Sequence, residues 1–228
     1  MTVKQLVSDI RNISSSGSNP IEFRIEDSQL LFWANEVRAM LISQAIQKKQ
    51  DITDSWVQTI NCLEMEHVDK SECCDIVTNC YILKSIEELP RTIETTKDNT
   101  VLRVSTPQGK IISKSNPFES RYSSYNKYTK FKAGWFIKNN HLYIINEDFL
   151  KFVDVDLLAE NPSDLANFNS CAGVSCFNGN SDYPCSLKMA NDITTIVLKT
   201  RVYPFLQMPT DNTNDAANNF NPPNTKNV

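Results

Sequence analysis

Three cysteines in the last third of the chain, Cys171, Cys176 and Cys185, include one pair near the spacing of zinc ligands. A structural zinc needs four ligands, and Cys73, Cys74 or His67 could supply the fourth. The plainer reading treats these thiols as small apolar packing groups. The count of seven cysteines is odd and no secretion signal precedes them, so reduced thiols are expected. A Cys–His nucleophile pair would draw on His67 or His141. His141 falls at an expected hairpin turn, a poor place to hold a base rigid, and neither histidine sits in an elbow or triad context. Glu64 and Glu66, two apart on an expected strand, share one side, which suits a metal or, more simply, a solvated face. Tyr122, Tyr125 and Tyr128, interleaved with Arg121, Lys127, Lys130 and Lys132, could stack bases and clamp phosphates. The same row could instead cover a hairpin or fill a protein interface. Only five glycines are present, with no G-x-G-x-x-G and no P-loop, which argues against nucleotide binding. No catalytic, cofactor-binding or metal-ligating residue is assigned on these grounds, and no cofactor is expected.

These residues must be positioned by a chain of 228 residues with 40% hydrophobic and 22% charged content, the composition of a globular protein. The net charge of -4 brings no basic excess that would announce nucleic acid or an anionic membrane. No apolar run approaches a membrane span, and the first twenty residues lack the apolar core of a signal peptide, so no membrane association and a cytoplasmic site of synthesis are expected.

Val3, Leu6, Val7 and Ile10 mark one face of a short helix. A longer helix follows, with Asp27 expected as N-cap and Leu30, Ala34, Val37, Leu41 and Ala45 at helical spacing. Leu31, Trp33, Met40 and Ile42 widen its stripe, while Glu36, Arg38, Gln44, Lys48 and Lys49 are assigned to the wet face. From Trp56 the period changes. Strands are expected in WVQTINCLEMEHV, in NCYILKSIEELPRTIE and in FLKFVDVDLL. Two hairpins are expected: TVLRVSTPQGKIISK, turning at Thr106-Pro107-Gln108-Gly109, and GWFIKNNHLYIIN, turning at Asn139-Asn140. Residues 171–185 read as an irregular loop. Residues 187–202 read as a helix in spite of their β-branched content. The expected architecture is α+β: helices from the two ends (1–50 and 187–203) packed together beside a β-rich middle (55–158), a hairpin sheet or small barrel. Residues 1–210 would form one domain, and residues 211–228 an extended tail.

That tail, DNTNDAANNFNPPNTKNV, holds seven asparagines and two large apolar side chains, Phe220 and Val228. Ordering it costs on the order of 18–36 kcal/mol of backbone entropy, of which burying Phe220 returns roughly 2–3 kcal/mol. The remainder would have to come from hydrogen bonds to a groove or sheet edge, for which asparagine amides are suited. Extended, eighteen residues reach roughly 60 Å, across a body of roughly 40 Å and onto another chain.

The stretches FRIEDSQLLFWANEVRAMLISQ, VDKSECCDI, ELPRTIE and VLKTRVYPFLQMPTDNTND resemble structural proteins of crAss-like short-tailed bacteriophages, the connector or ring proteins that join portal to tail. The resemblance runs over most of the chain and carries no catalytic signature. It implies a non-enzymatic portal adaptor with a helical part and a β-rich part. Such a protein would sit in the virion as a twelve-fold ring of identical subunits, meeting the portal and other tail proteins. It would surround the channel through which DNA leaves without binding it specifically. The expected subunit-interface residues are Asn219, Phe220, Asn221 and Pro222 of the tail and Asn139 and Asn140 at a hairpin tip, with the 14–24 loop and the Pro107 tip beside them. The competing function is a nucleic-acid-binding module using residues 121–132.

Overall fold

Alternation with a period of two, reset once by a bulge, closes the middle of the chain into a barrel. The computed structural model describes residues 1–15, 25–68, 82–95, 100–116, 132–147 and 149–206. Among them, α1 (Val3–Ser15) and α2 (Asp27–Gln47) precede the strands β1 (Gln58–His67), β2 (Ile82–Ser85), β3 (Val101–Ser105), β4 (Ile111–Lys114), β5 (Gly134–Lys138), β6 (His141–Ile145) and β7 (Phe152–Leu157). A loop with a short 3₁₀ helix at Pro162–Asn167 leads to α3 (Leu187–Val197). A π-helical turn, Leu198–Val202, continues into α4 (Tyr203–Leu206). The class is α+β, as expected, and the β-rich middle is a closed barrel in the order β1-β2-β6-β5-β4-β3-β7. Closure removes the sheet edges that an open sheet would expose.

Along β1, Gln58 and Ile60 face inward; Cys62, at φ 60°, adds the extra residue that shifts the β1–β7 register and turns Leu63 and Met65 inward again. The Cys62 N–H donates to Asp154 Oδ1 at 2.9 Å, which holds the bulge. On β7, Val153, Val155 and Leu157 are fully buried. Both expected hairpins form. Gly109 takes φ 85°, and Thr106 exchanges main-chain bonds with Gly109 and Lys110. Asn139 and Asn140 take φ 49° and 60°, the left-handed pair of a tight two-residue turn.

All pairs in the barrel are antiparallel except β4–β5. There Trp135 Nε1 donates to the Ile112 carbonyl at 3.1 Å. A Cβ on Gly134 would stand 2.6 Å from that of Ser115, so the close parallel approach needs glycine.

The helices lie together against the barrel and share its core. Val3, Leu6, Val7 and Ile10 of α1 are buried, as their spacing predicts. Helix α2 starts one residue earlier than expected: Glu26 is the N-cap residue, and Asp27 stands in the first turn, where its carboxylate pairs with Arg11 at 2.6 Å. Residues 187–202 are helical, capped by the Ser186 side chain, which accepts from the Met189 N–H. The β-branched residues there are accommodated because Ile193, Val197 and Val202 all face the core. No helix among the described residues is long and apolar enough to cross a membrane.

Candidate assembly interface

Among the described residues, those that could have done chemistry are dispersed. Cys171 is bonded to Cys62, with Cα atoms 5.2 Å apart, so the pair is not reduced as expected. The bond ties the barrel bulge to the 161–185 loop, a pairing of residues 109 apart that spacing could not indicate. Cys176 and Cys185 remain free thiols, half-buried beside a cavity of about 420 Å³, and burial pushes the Cys185 thiol up. Among the described residues no three His, Cys, Asp or Glu side chains gather to hold a metal; Cys73 and Cys74 lie outside them. His141 is not in the turn but opens β6. Its Nδ1 stands 2.9 Å from the Ser85 carbonyl, and the buried Ser85 hydroxyl accepts the Leu142 N–H, so the ring is a clamp between strands. Glu64 and Glu66 share an exposed face. The Tyr122–Tyr128 row lies outside the described residues, as do Asn219, Phe220, Asn221 and Pro222.

What the sequence reading missed is Arg38. Assigned to the wet face of α2, it is fully buried. Its Nε donates to the Pro184 carbonyl at 2.7 Å, Nη1 to Ala159 at 2.8 Å and Nη2 to Trp56 at 3.2 Å. One guanidinium thus joins α2 to three segments distant in sequence. Burial lowers its pKa, opposed by Tyr183 and Cys185 beside it. The fork of donors meets backbone carbonyls, which the helical period of α2 cannot reveal. The signal available in the sequence was position alone: Arg38 follows Ala34 by four residues and so shares its buried stripe.

A second chain of polar contacts leads outward from the same place. The Tyr183 hydroxyl donates to Asn35 Oδ1 at 2.7 Å, and Asn35 Nδ2 donates to Asn161 Oδ1 at 2.9 Å. Asn161 Nδ2 in turn donates to Asp164 Oδ1 at 2.7 Å. Asn35, Asn161 and Asp164 line a cavity of about 690 Å³ beside the exposed ring of Phe32. It adjoins a cavity of about 630 Å³ between α2 and residues 89–94, and Arg91 and Glu160 line both. The two make a cleft along α2. Asn140 reaches its rim: the hairpin tip is exposed, and the Asn140 carbonyl accepts the Leu89 N–H at 2.7 Å.

The described residues thus make a closed barrel, a helical layer joined to its flanking segments through one buried arginine, and an open cleft along α2. The family model for Phage tail ring protein 2 matches residues 5–220, and the chain belongs to that family. It is therefore a ring component of a phage tail. No curated protein matches the chain.

Proposed function

We propose that this chain is a non-enzymatic ring subunit at the junction of portal and tail. In this reading identical subunits, twelve to a ring, surround the DNA exit channel, meeting the portal on one side and other tail proteins on the other. The observation that carries the reading is the family match across residues 5–220. The net charge of -4 agrees with a channel wall that DNA passes without sticking, since phosphate binding requires Lys and Arg in excess. Residues 1–210 act as one body. Residues 211–228, with Asn219, Phe220, Asn221 and Pro222, form an arm onto the neighbouring subunit, and the Asn139–Asn140 tip adds to that contact.

Head-to-tail contacts that close by rotation form rings, and an arm that orders on assembly enlarges them. Particle mass is the measurement. The full chain, alone and with portal, is expected to give a discrete ring mass, and deletion of residues 211–228 to reduce it to smaller species. A deletion variant that keeps the ring mass refutes the arm; a full chain that stays monomeric with every tail and portal partner refutes the ring.

A further inference from the structure

The cleft along α2 has an unused strand edge in its wall. Residues 91–94 run antiparallel to 158–160, with the Ile93 N–H donating to Leu158 at 2.9 Å and the Glu160 N–H to Arg91 at 2.8 Å. These bonds flank the Thr92–Ala159 bridge, so the N–H and C=O of Thr92 point away from Ala159. Among the described residues they take no partner. The strip is held firmly, since the Thr100 hydroxyl donates to the Ile93 carbonyl at 2.7 Å.

Across the cleft, Phe32 and Met40 of α2 are 62% and 42% exposed, eight residues apart and so on one helical face. Carboxylates of Glu94, Glu160 and Asp164 line the same space. The cleft therefore offers an open strand edge, exposed apolar groups for an aromatic side chain, and more hydrogen-bond acceptors than donors.

Resting on the arm reading above, we propose that this cleft is the receptor for residues 207–228 of the neighbouring subunit. The arm would lie as an added strand along residues 91–94 and place Phe220 against Phe32. Its chemistry fits. Seven asparagines carry amide donors, which suit a wall of carboxylate acceptors, and the segment's only ionic side chains are Asp211, Asp215 and Lys226. Strand addition supplies main-chain bonds where side-chain burial is small.

The point of departure fits as well. Arg201 Nη2 is bonded to Glu36 at 2.7 Å, on the α2 turn between Phe32 and Met40. The described residues thus end at Leu206, five residues beyond a contact on this face, and 22 residues follow in the sequence. These span roughly 70 Å, well past a body roughly 40 Å across. A strand handed from copy to copy is the heterologous contact that a closing ring requires.

The test places the photo-crosslinker p-benzoylphenylalanine at position 32 of the full chain. This protein is assembled into rings with isotopically heavy full chain and illuminated, and the linked peptides are sequenced by mass spectrometry. Links from the light residue 32 to heavy peptides within 207–228 are expected. Links only within one chain, or only to other segments, overturn the assignment. The exposed ring allows a second variant: Phe32→Glu should keep its melting temperature and raise the concentration needed for assembly about tenfold. Unchanged assembly overturns the proposal. If removal of residues 211–228 still weakens the ring while residue 32 links elsewhere, the arm stands and only its seat is wrong. If that removal has no effect, the arm itself has failed.

Discussion

The barrel interior and the junction of α2 with the 159–184 segments both hold fully buried side chains, yet they are built from different materials. Val153, Val155, Leu157, Leu142 and Ile144 fill the barrel through contact alone, each fully buried and none with a side-chain hydrogen bond to make. The junction is organised by a cation and two amides, Arg38, Asn35 and Asn161, whose bonds run to Trp56, Ala159, Pro184, Tyr183 and Asp164. Apolar packing tolerates adjustment, because a lost methyl leaves only a small cavity. A polar hub does not, because each deleted donor strands a buried carbonyl. The barrel is thus a scaffold with distributed stability, and the junction concentrates the orientation of helices against barrel in one residue.

Replacing Arg38 is the strongest way to break that contrast. Arg38→Met roughly keeps volume and removes the donors to three carbonyls, and should cost about 3–5 kcal/mol, because each buried acceptor left without a donor costs roughly 1–3 kcal/mol. Ile144→Val in the barrel should cost about 0.5–1.5 kcal/mol. Denaturant unfolding of both variants measures the difference; equal losses would mean that the guanidinium holds nothing the apolar core does not.

Those two regions also differ in how far they could be read in advance. The hairpin turn at Asn139-Asn140, the alternation of FVDVDL and the face of α1 are local signals, each set by sterics and burial within a few residues. The bulge at Cys62, the parallel β4–β5 pair and the Arg38 hub depend on partners brought from far along the chain. Arg38 was misread because a charged residue on a helix is nearly always solvated unless paired. Its acceptors are carbonyls of residues 56, 159 and 184, which carry no mark in side-chain type. Met40 erred the other way: it belongs to the apolar stripe by spacing but faces the open cleft. The cleft itself is made by ELPRTIE and the 160–164 turn meeting α2, an arrangement no local period encodes.

The Cys62–Cys171 bond sharpens the comparison at its border, since it fastens the barrel to the loop that delivers Pro184 and Tyr183 to the junction. It closes a separation of 109 residues, and Cys171→Ser should cost about 2–4 kcal/mol under oxidising conditions. In excess reductant the variant and the parent should melt together. A parent whose melting temperature ignores reductant would show that the tie carries no stability.

The smallest expected effect separates the junction from the barrel by pH, because the described residues that fill the barrel, such as Val153, Val155, Leu157, Leu142 and Ile144, are apolar. Burial raises the Tyr183 pKa above its ordinary value near 10, with Arg38 opposing. Burial likewise raises Cys185 above its ordinary value near 9. A raised acid keeps its proton in the folded chain where the unfolded chain has lost it, so its contribution is complete at neutral pH. That contribution declines as pH climbs past about 9 for the thiol and about 10 for the phenol. Arg38, with a lowered pKa, acts in the opposite sense, since the unfolded chain then holds the proton longer. Tyr183→Phe removes the hydroxyl bond to Asn35 and should cost about 0.5–1.5 kcal/mol at pH 7. Its melting temperature should then fall less between pH 10 and 11 than that of the parent, because one of the two declining groups is gone. Parallel curves for variant and parent across that interval would remove Tyr183 from the alkaline response and leave the thiol as its source.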